Sequence, residues 1–323
     1  MKKVISFIVS LLILAIIYWR IDFTSLIEVL ANSDSFWLII SLGMVVPITL
    51  LIAWKLQMLM PAPVNLSFYH STRLILLASV LNMVLPSKMG DVAKAYFIKD
   101  MGKLSGSMSL SLVVFEKVFD MHSLLLWCSF GLLLYPEKSF LFWTMTGIVI
   151  SGLIVGILLL GSQRFAGFFF SVILKLAPKK FLPKVKNLTA SWHEYRGYIW
   201  NNKPQLIKVG ALSIITWFFH LLQIWFFIFA LKSWVPLTVN LALAPLSILA
   251  GLFPLTFAGV GTRDAALIFF FQAYLTTPTA AALGILCTIR YLMPAIGGIP
   301  FLWKYSNRIQ SLQSRSIDSE DLK

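Results

Sequence analysis

The chain has 323 residues, of which 59% are hydrophobic and only 12% charged, with a mean hydropathy of +0.84. A soluble domain carries about a quarter charged residues, so the composition excludes one and points to a polytopic membrane protein. The formal net charge of +14 does not mark a nucleic-acid partner, because Lys and Arg sit in the connections between apolar segments, a placement that reports membrane topology and anionic lipid.

A full span needs about 20 apolar residues. Residues 4–19 follow Lys2 and Lys3 with no small-residue cleavage signal behind them, and are expected to stay as the first helix. A polar loop with Asp22, Glu28 and Asp34 leads to a second span over 36–54, and 55–73 reads as a basic connection. From Arg73 only thirteen residues remain to Leu85 before Pro86, which suits a re-entrant half-helix better than a span. The break runs to Gly90, and a helix restarts over 91–103 with Asp91 in its first turn and Lys94 one turn on.

Spans are expected over 107–134, 140–160, 206–231 and 279–303. The basic connection 162–205 contains an amphipathic stretch, 165–177, suited to the membrane interface. A second broken pair, 239–257 and 262–276, flanks Pro254, Gly259 and Gly261, with Arg263 and Asp264 opening the new helix. The expected fold class is therefore all-α: a transmembrane bundle of about six full spans plus two broken, re-entrant pairs. One transmembrane domain covers 1–305, in halves of about 1–135 and 136–305, and 306–323 forms a polar cytoplasmic tail.

With both pairs re-entrant, 21 of the 27 Lys and Arg residues fall on the side of both termini, which the positive-inside rule makes cytoplasmic. The first pair then enters from the cytoplasm and the second from outside, making the halves inverted repeats, an architecture of alternating-access carriers. The alternative is that both Pro and Gly stretches are ordinary loops of an all-spanning bundle. The predicted location is the plasma (inner) membrane.

The charges inside the membrane carry the functional argument. Glu116, Lys117 and Asp120 facing lipid would cost on the order of 8 to 10 kcal/mol together, so they face protein or water. Glu116 and Asp120 share a helix face, and Lys117 is spaced to pair with Asp120. These residues serve either as a self-neutralising packing cluster or as the wall of a polar cavity to which Arg290, His220 and Gln223 also contribute. A half-helix starting at mid-membrane aims its free amides inward, which suits phosphate or carboxylate. Ser87 and Thr262 are candidate caps, Arg263 a candidate bidentate phosphate grip and Lys94 a point charge. Asp91 and Asp264 either cap these helix starts or meet a cationic headgroup or a coupled proton.

Cys128 and Cys287 lie in separate apolar runs, so neither a disulfide framework nor a metal site is indicated, and no cofactor is expected. Walker A, HExxH, GxSxG and Rossmann glycine patterns are absent, which leaves catalysis without a motif.

Pro86, Gly90, Asp91 and Lys94, then FEKVFD over 115–120, then AGVGTRD over 258–264 make a pattern that resembles the lysylphosphatidylglycerol synthase transmembrane-region family, also described as flippase-like. The resemblance covers about residues 4–305. Lys94 and Lys117 stand where the family commonly has Arg, and Ala258 where it often has Gly; Lys keeps the charge but lacks the planar fork. The resemblance implies a lipid flippase-like transmembrane region. With only twenty residues after the last span, a stand-alone member without the aminoacyl transferase domain is expected.

The expected function is translocation of an anionic or zwitterionic phospholipid, its aminoacyl derivative or an isoprenoid-linked lipid between leaflets. Asp91, Lys94, Glu116, Lys117, Asp120, Arg263, Asp264 and Arg290 are the candidate contacts. The rivals are a membrane-embedded transferase on a lipid-linked substrate and a scaffold for a lipid-synthesis enzyme. The expected partners are membrane lipids and such an enzyme.

Overall fold

The structure, a computed structural model, describes residues 23–61, 64, 66–84, 90–101, 104–135, 138–176, 182–252 and 261–320. In chain order the helices are α1 (Phe23–Ala31), α2 (Ser35–Gly43), α3 (Val45–Leu59), α4 (Phe68–Val84), α5 (Gly90–Asp100), α6 (Gly106–Leu134), α7 (Phe140–Gly161), α8 (Gln163–Leu176), α9 (Leu182–Asn201), α10 (Lys203–Ala230), α11 (Leu237–Gly251), α12 (Thr262–Phe271) and α13 (Thr277–Glu320). No strand occurs among the described residues.

Five stretches are long and apolar enough to cross a membrane: Ser35–Leu59, Gly106–Leu134, Phe140–Gly161, Lys203–Ala230 and Thr277–Leu302. They coincide with five of the six predicted spans; the first, 4–19, lies outside the described residues, as do Pro86, Pro254 and Gly259. The molecule is a polytopic all-α membrane bundle.

Several local expectations need correction. The polar loop after residue 22 contains α1, whose Leu26 is buried. The second span holds as one stretch, Ser35–Leu59, and its ladder loses only a bond beside Met44, because Pro47 lacks the amide that would make it. α4 begins at Phe68, not Arg73: Ser67 caps it by accepting from the His70 amide at 3.3 Å, so the polar string 69–73 is helical. The basic connection holds a second helix, α9, which buries Trp192, Tyr195 and Ile199 on one face. Beyond the last span, α13 continues through the expected tail to Glu320.

α9 ties one face of the bundle together by satisfying the last carbonyls of neighbouring helices. Tyr195 Oη donates to Leu59 O at 2.6 Å at the end of α3, while Arg196 Nε and Trp200 Nε1 both donate to Leu160 O, at 2.7 and 2.6 Å, at the end of α7. Burial pushes the Tyr195 phenol well above its usual range, so it stays a donor at ordinary pH. Ser191 reaches Ser107 at the start of α6 at 2.8 Å. On the opposite face the Asp34 amide donates to Ala230 O at 2.7 Å, joining the start of α2 to the end of α10.

These anchors locate both broken pairs. α4 folds back on α5, with Gly90 pressed on the Ala78 carbonyl and Asn82. The outer end of α4 carries Arg73, whose guanidinium lies 5.2 Å from the Phe301 ring near the end of the last span, and Lys99 near the end of α5 packs on Gly106. Both outer ends of the first pair therefore lie on the α9 face. α11 likewise folds back on α12, with Gly251 against Arg263. The end of α12 meets the end of α6 on the opposite face, where the rings of Phe270 and Tyr135 are 6.2 Å apart.

The two halves also exchange partners. α4 packs most extensively on α13, the long helix after the second pair, and α11 packs on α6, the long helix after the first. Each crossing is closed by a glycine: a Cβ at Gly298 would strike the Leu76 carbonyl of α4, and one at Gly131 the Ala242 carbonyl of α11.

Candidate functional site

α6 runs through two apolar clusters. Leu112, Val113, Phe115 and Phe119 belong to one with α3, α4, α5 and α9, and Leu124, Leu125, Cys128 and Leu132 to another with α7, α10, α11 and α12. Asp120 sits between the two clusters, while Glu116 and Lys117 fall within the stretch that packs in the first. Glu116 is buried against Lys94 of α5, Oε2 to Nζ 2.5 Å, both 1% exposed. Asp120 pairs with Lys55 of α3, and Lys117 with Asp91 of α5 at 2.9 Å.

The spacing allowed Lys117 to pair with Asp120 on its own helix. The structure instead spends both on other helices, because α5 and α3 both pack on α6 and bring a carboxylate and an ammonium from outside. Each pair ties two helices while holding neutrality in a low dielectric. Lys55 was missed: it ends an apolar run next to Trp54 and reads as the first residue of a basic loop, yet it is fully buried. Its signal was being the lone charge of α3.

The three pairs differ in access. Lys94–Glu116 is closed, and Lys55 is buried with Asp120 21% exposed. Lys117 is 46% exposed and Asp91 17%. Lys117–Asp91 thus pairs an open cation with a partly open carboxylate in the first turn of α5, where the helix dipole also favours negative charge.

The second half is built differently. Gly261 takes φ 98°, a conformation glycine permits, and serves as the N-cap of α12 in place of the expected Thr262. Asp264 Oδ2 accepts from the Gly261 amide at 3.0 Å, and its Oδ1 accepts from Arg263 Nε at 2.9 Å and Nη2 at 2.6 Å. Arg263 also donates to Gly284 O at 3.0 Å, Cys287 O at 3.3 Å and Thr288 Oγ1 at 2.7 Å. Its donors are taken by protein acceptors, so a phosphate would have to displace them. The absent side chain of Gly284 makes room for Asp264.

Arg290 stands in the last span, 3% exposed. Nη1 lies 3.4 Å from both Gln223 Oε1 and His220 O, and Nη2 donates to Tyr291 Oη at 3.1 Å. Arg290, His220 and Gln223 therefore meet one another between α10 and α13, whereas the α6 charges with which they were expected to share a cavity wall are held by α5 and α3. Among the described residues no group of three or more His, Cys, Asp or Glu side chains is placed to hold a metal.

An apolar hollow of about 370 Å³ opens between α7, α11 and α12, floored by Ala250, Ala265 and Ala266 and walled by Leu141, Met145 and Phe269. It lies on α12 immediately after the Arg263–Asp264 pair.

A helical bundle with a broken helix in each half and a paired ionic interior defines an integral membrane protein that keeps polar chemistry inside its spans. The chain belongs to the family described as lysylphosphatidylglycerol synthase TM region, whose sequence profile matches residues 3–298. It is also similar to a UPF0104 membrane protein of Methanocaldococcus jannaschii, 23% identical over 317 residues that cover 92% of this chain and 93% of the relative.

Proposed function

We propose that the protein translocates an anionic or zwitterionic lipid headgroup between leaflets. The observation that carries this reading is the Lys117–Asp91 pair, the one with an exposed cation among the four described ion pairs. An open pair can exchange partners at little cost: a lipid phosphate replaces Asp91 at Lys117, and a headgroup amine replaces Lys117 at Asp91. The closed pair Lys94–Glu116 and the half-open pair Lys55–Asp120 hold α5 and α3 in register around it.

The insertion of the two broken pairs from opposite faces supports an inverted-repeat carrier, in which the halves rock about a central site. The apolar hollow on α12 suits a lipid tail. The family's name favours a phospholipid or its aminoacyl derivative, with an isoprenoid-linked lipid as a further substrate class. The basic connections assign the α9 face to the cytoplasm and the protein to the plasma (inner) membrane, where a lipid-synthesis enzyme would supply the substrate.

The test is reconstitution. Purified protein in proteoliposomes should expose headgroup-labelled phosphatidylglycerol of the inner leaflet to an impermeant quencher, while empty liposomes should not. Formation of a new lipid species with added donors, without change of sidedness, would replace this reading with a transferase.

A further inference from the structure

We propose that Arg290 forms a binding site for an oxyanion, a phosphate or a carboxylate, inside the bundle and separate from the Lys117–Asp91 pair. The argument is a charge count. Four carboxylates lie within the helices that make up the membrane core, Asp91, Glu116, Asp120 and Asp264, and each holds a cation: Lys117, Lys94, Lys55 and Arg263. Arg290 is the fifth cation of that interior and has no carboxylate partner among the described residues.

Among the other carboxylates of the described residues, Glu28 lies in α1, Asp34 caps α2, Asp100 ends α5, Glu194 is on α9, and Asp318 and Glu320 end α13 beyond the last span. The stretches 4–19, 85–89 and 253–260, outside the described residues, contain neither Asp nor Glu; Asp22, Glu137 and Asp321 also lie outside the described residues, in the connections and at the terminus. A buried guanidinium without a countercharge is strongly unfavourable, and neutral dipoles repay only part of its lost hydration.

The donors of Arg290 are held less tightly than those of Arg263. Arg263, which is neutralised, makes five bonds of 2.6 to 3.3 Å to four acceptors, one of them a carboxylate oxygen. Arg290 has two contacts at 3.4 Å and one at 3.1 Å, and its Nε meets no acceptor although it is buried. Gln223 is not free to turn closer, since its Nε2 donates to Ser41 O at 2.8 Å. Nε and one Nη of a guanidinium form the fork that grips a phosphate or carboxylate in two parallel bonds. The position, halfway along the Thr277–Leu302 span, places the charge deep in the bundle.

The inference stands on charge balance and does not require transport; protein that binds the anion yet moves no lipid leaves it intact. The experiment is thermal unfolding of delipidated full-length protein in neutral detergent, titrated with inorganic phosphate, with phosphatidylglycerol, and with phosphatidylcholine as a zwitterionic control. A saturable rise of Tm with phosphate identifies a free ion as a ligand, and a rise with phosphatidylglycerol beyond phosphatidylcholine identifies a lipid headgroup. Arg290→Gln should abolish that rise. Gln223→Glu, which sets a carboxylate where Oε1 already faces the guanidinium at the cost of the bond from Nε2 to Ser41 O, should make the protein blind to both anions. The second variant keeps the test decisive if Arg290→Gln does not fold. No anion-dependent rise in the wild type, or a rise that persists undiminished in either variant, overturns the proposal.

Discussion

Asp91 and Asp264 occupy the same place in the two halves, the first turn of the helix that follows a break, yet they are held in different ways. Asp91 reaches across to Lys117 on another helix and stays partly open. Asp264 is closed on its own neighbour Arg263 and on the Gly261 amide, and the pair is sealed against α13. One broken helix carries an ion pair able to open; the other carries a lock. Under the proposed function, that asymmetry assigns the first broken pair to the substrate and the second to the framework.

The largest effects should fall on the closed pairs. Asp264→Asn leaves a buried guanidinium uncompensated and should lower stability by about 3–5 kcal/mol, as should Glu116→Gln for Lys94. Denaturation in detergent measures both. The doubles then separate the halves: Lys94→Met with Glu116→Leu should recover most of the loss, because the two side chains hydrogen-bond to each other and leave no other partner unpaired. Arg263→Met with Asp264→Leu should not, because the Gly261 amide and the Gly284 and Cys287 carbonyls lose their partners as well. Equal recovery in both doubles would break the comparison.

Smaller effects test the crossings. Gly131→Ala and Gly298→Ala each drive a methyl into a facing helix carbonyl, and each should cost about 1–3 kcal/mol. Similar costs are expected if the exchanged packing of α11 on α6 and α4 on α13 is one arrangement used twice. Tyr195→Phe removes one bond to the end of α3 and should cost about 1 kcal/mol. Asp91→Asn should change stability least, within about 1 kcal/mol, since Lys117 is 46% exposed and an amide oxygen at position 91 still accepts its hydrogen bond.

The spans and breaks were legible because each leaves a one-dimensional mark: apolar length, a Pro or Gly interruption, or a carboxylate after it. The ion-pair partners were not. Lys117 had an acceptable partner three residues away on its own helix, and nothing in the sequence says that α5 and α3 flank α6 with Asp91 and Lys55. Lys55 was hidden by its position at the edge of an apolar run. α9 was hidden by its polar average, although Trp192, Tyr195 and Ile199 kept a helical period. The cap at Gly261 depends on a left-handed backbone that the glycine permits but does not demand. Arg290 was visible as an intramembrane charge; that it lacks a countercharge emerged only once the other four pairs were assigned.

The account's central claim is that the Lys117–Asp91 pair opens to admit a headgroup, and Asp91→Asn in proteoliposomes tests it most directly. The wild type should move headgroup-labelled phosphatidylglycerol between leaflets, and Asp91→Asn, folded with nearly unchanged Tm, should slow that movement at least tenfold, about 1.4 kcal/mol in barrier. Movement by Asp91→Asn at the wild-type rate would contradict the claim.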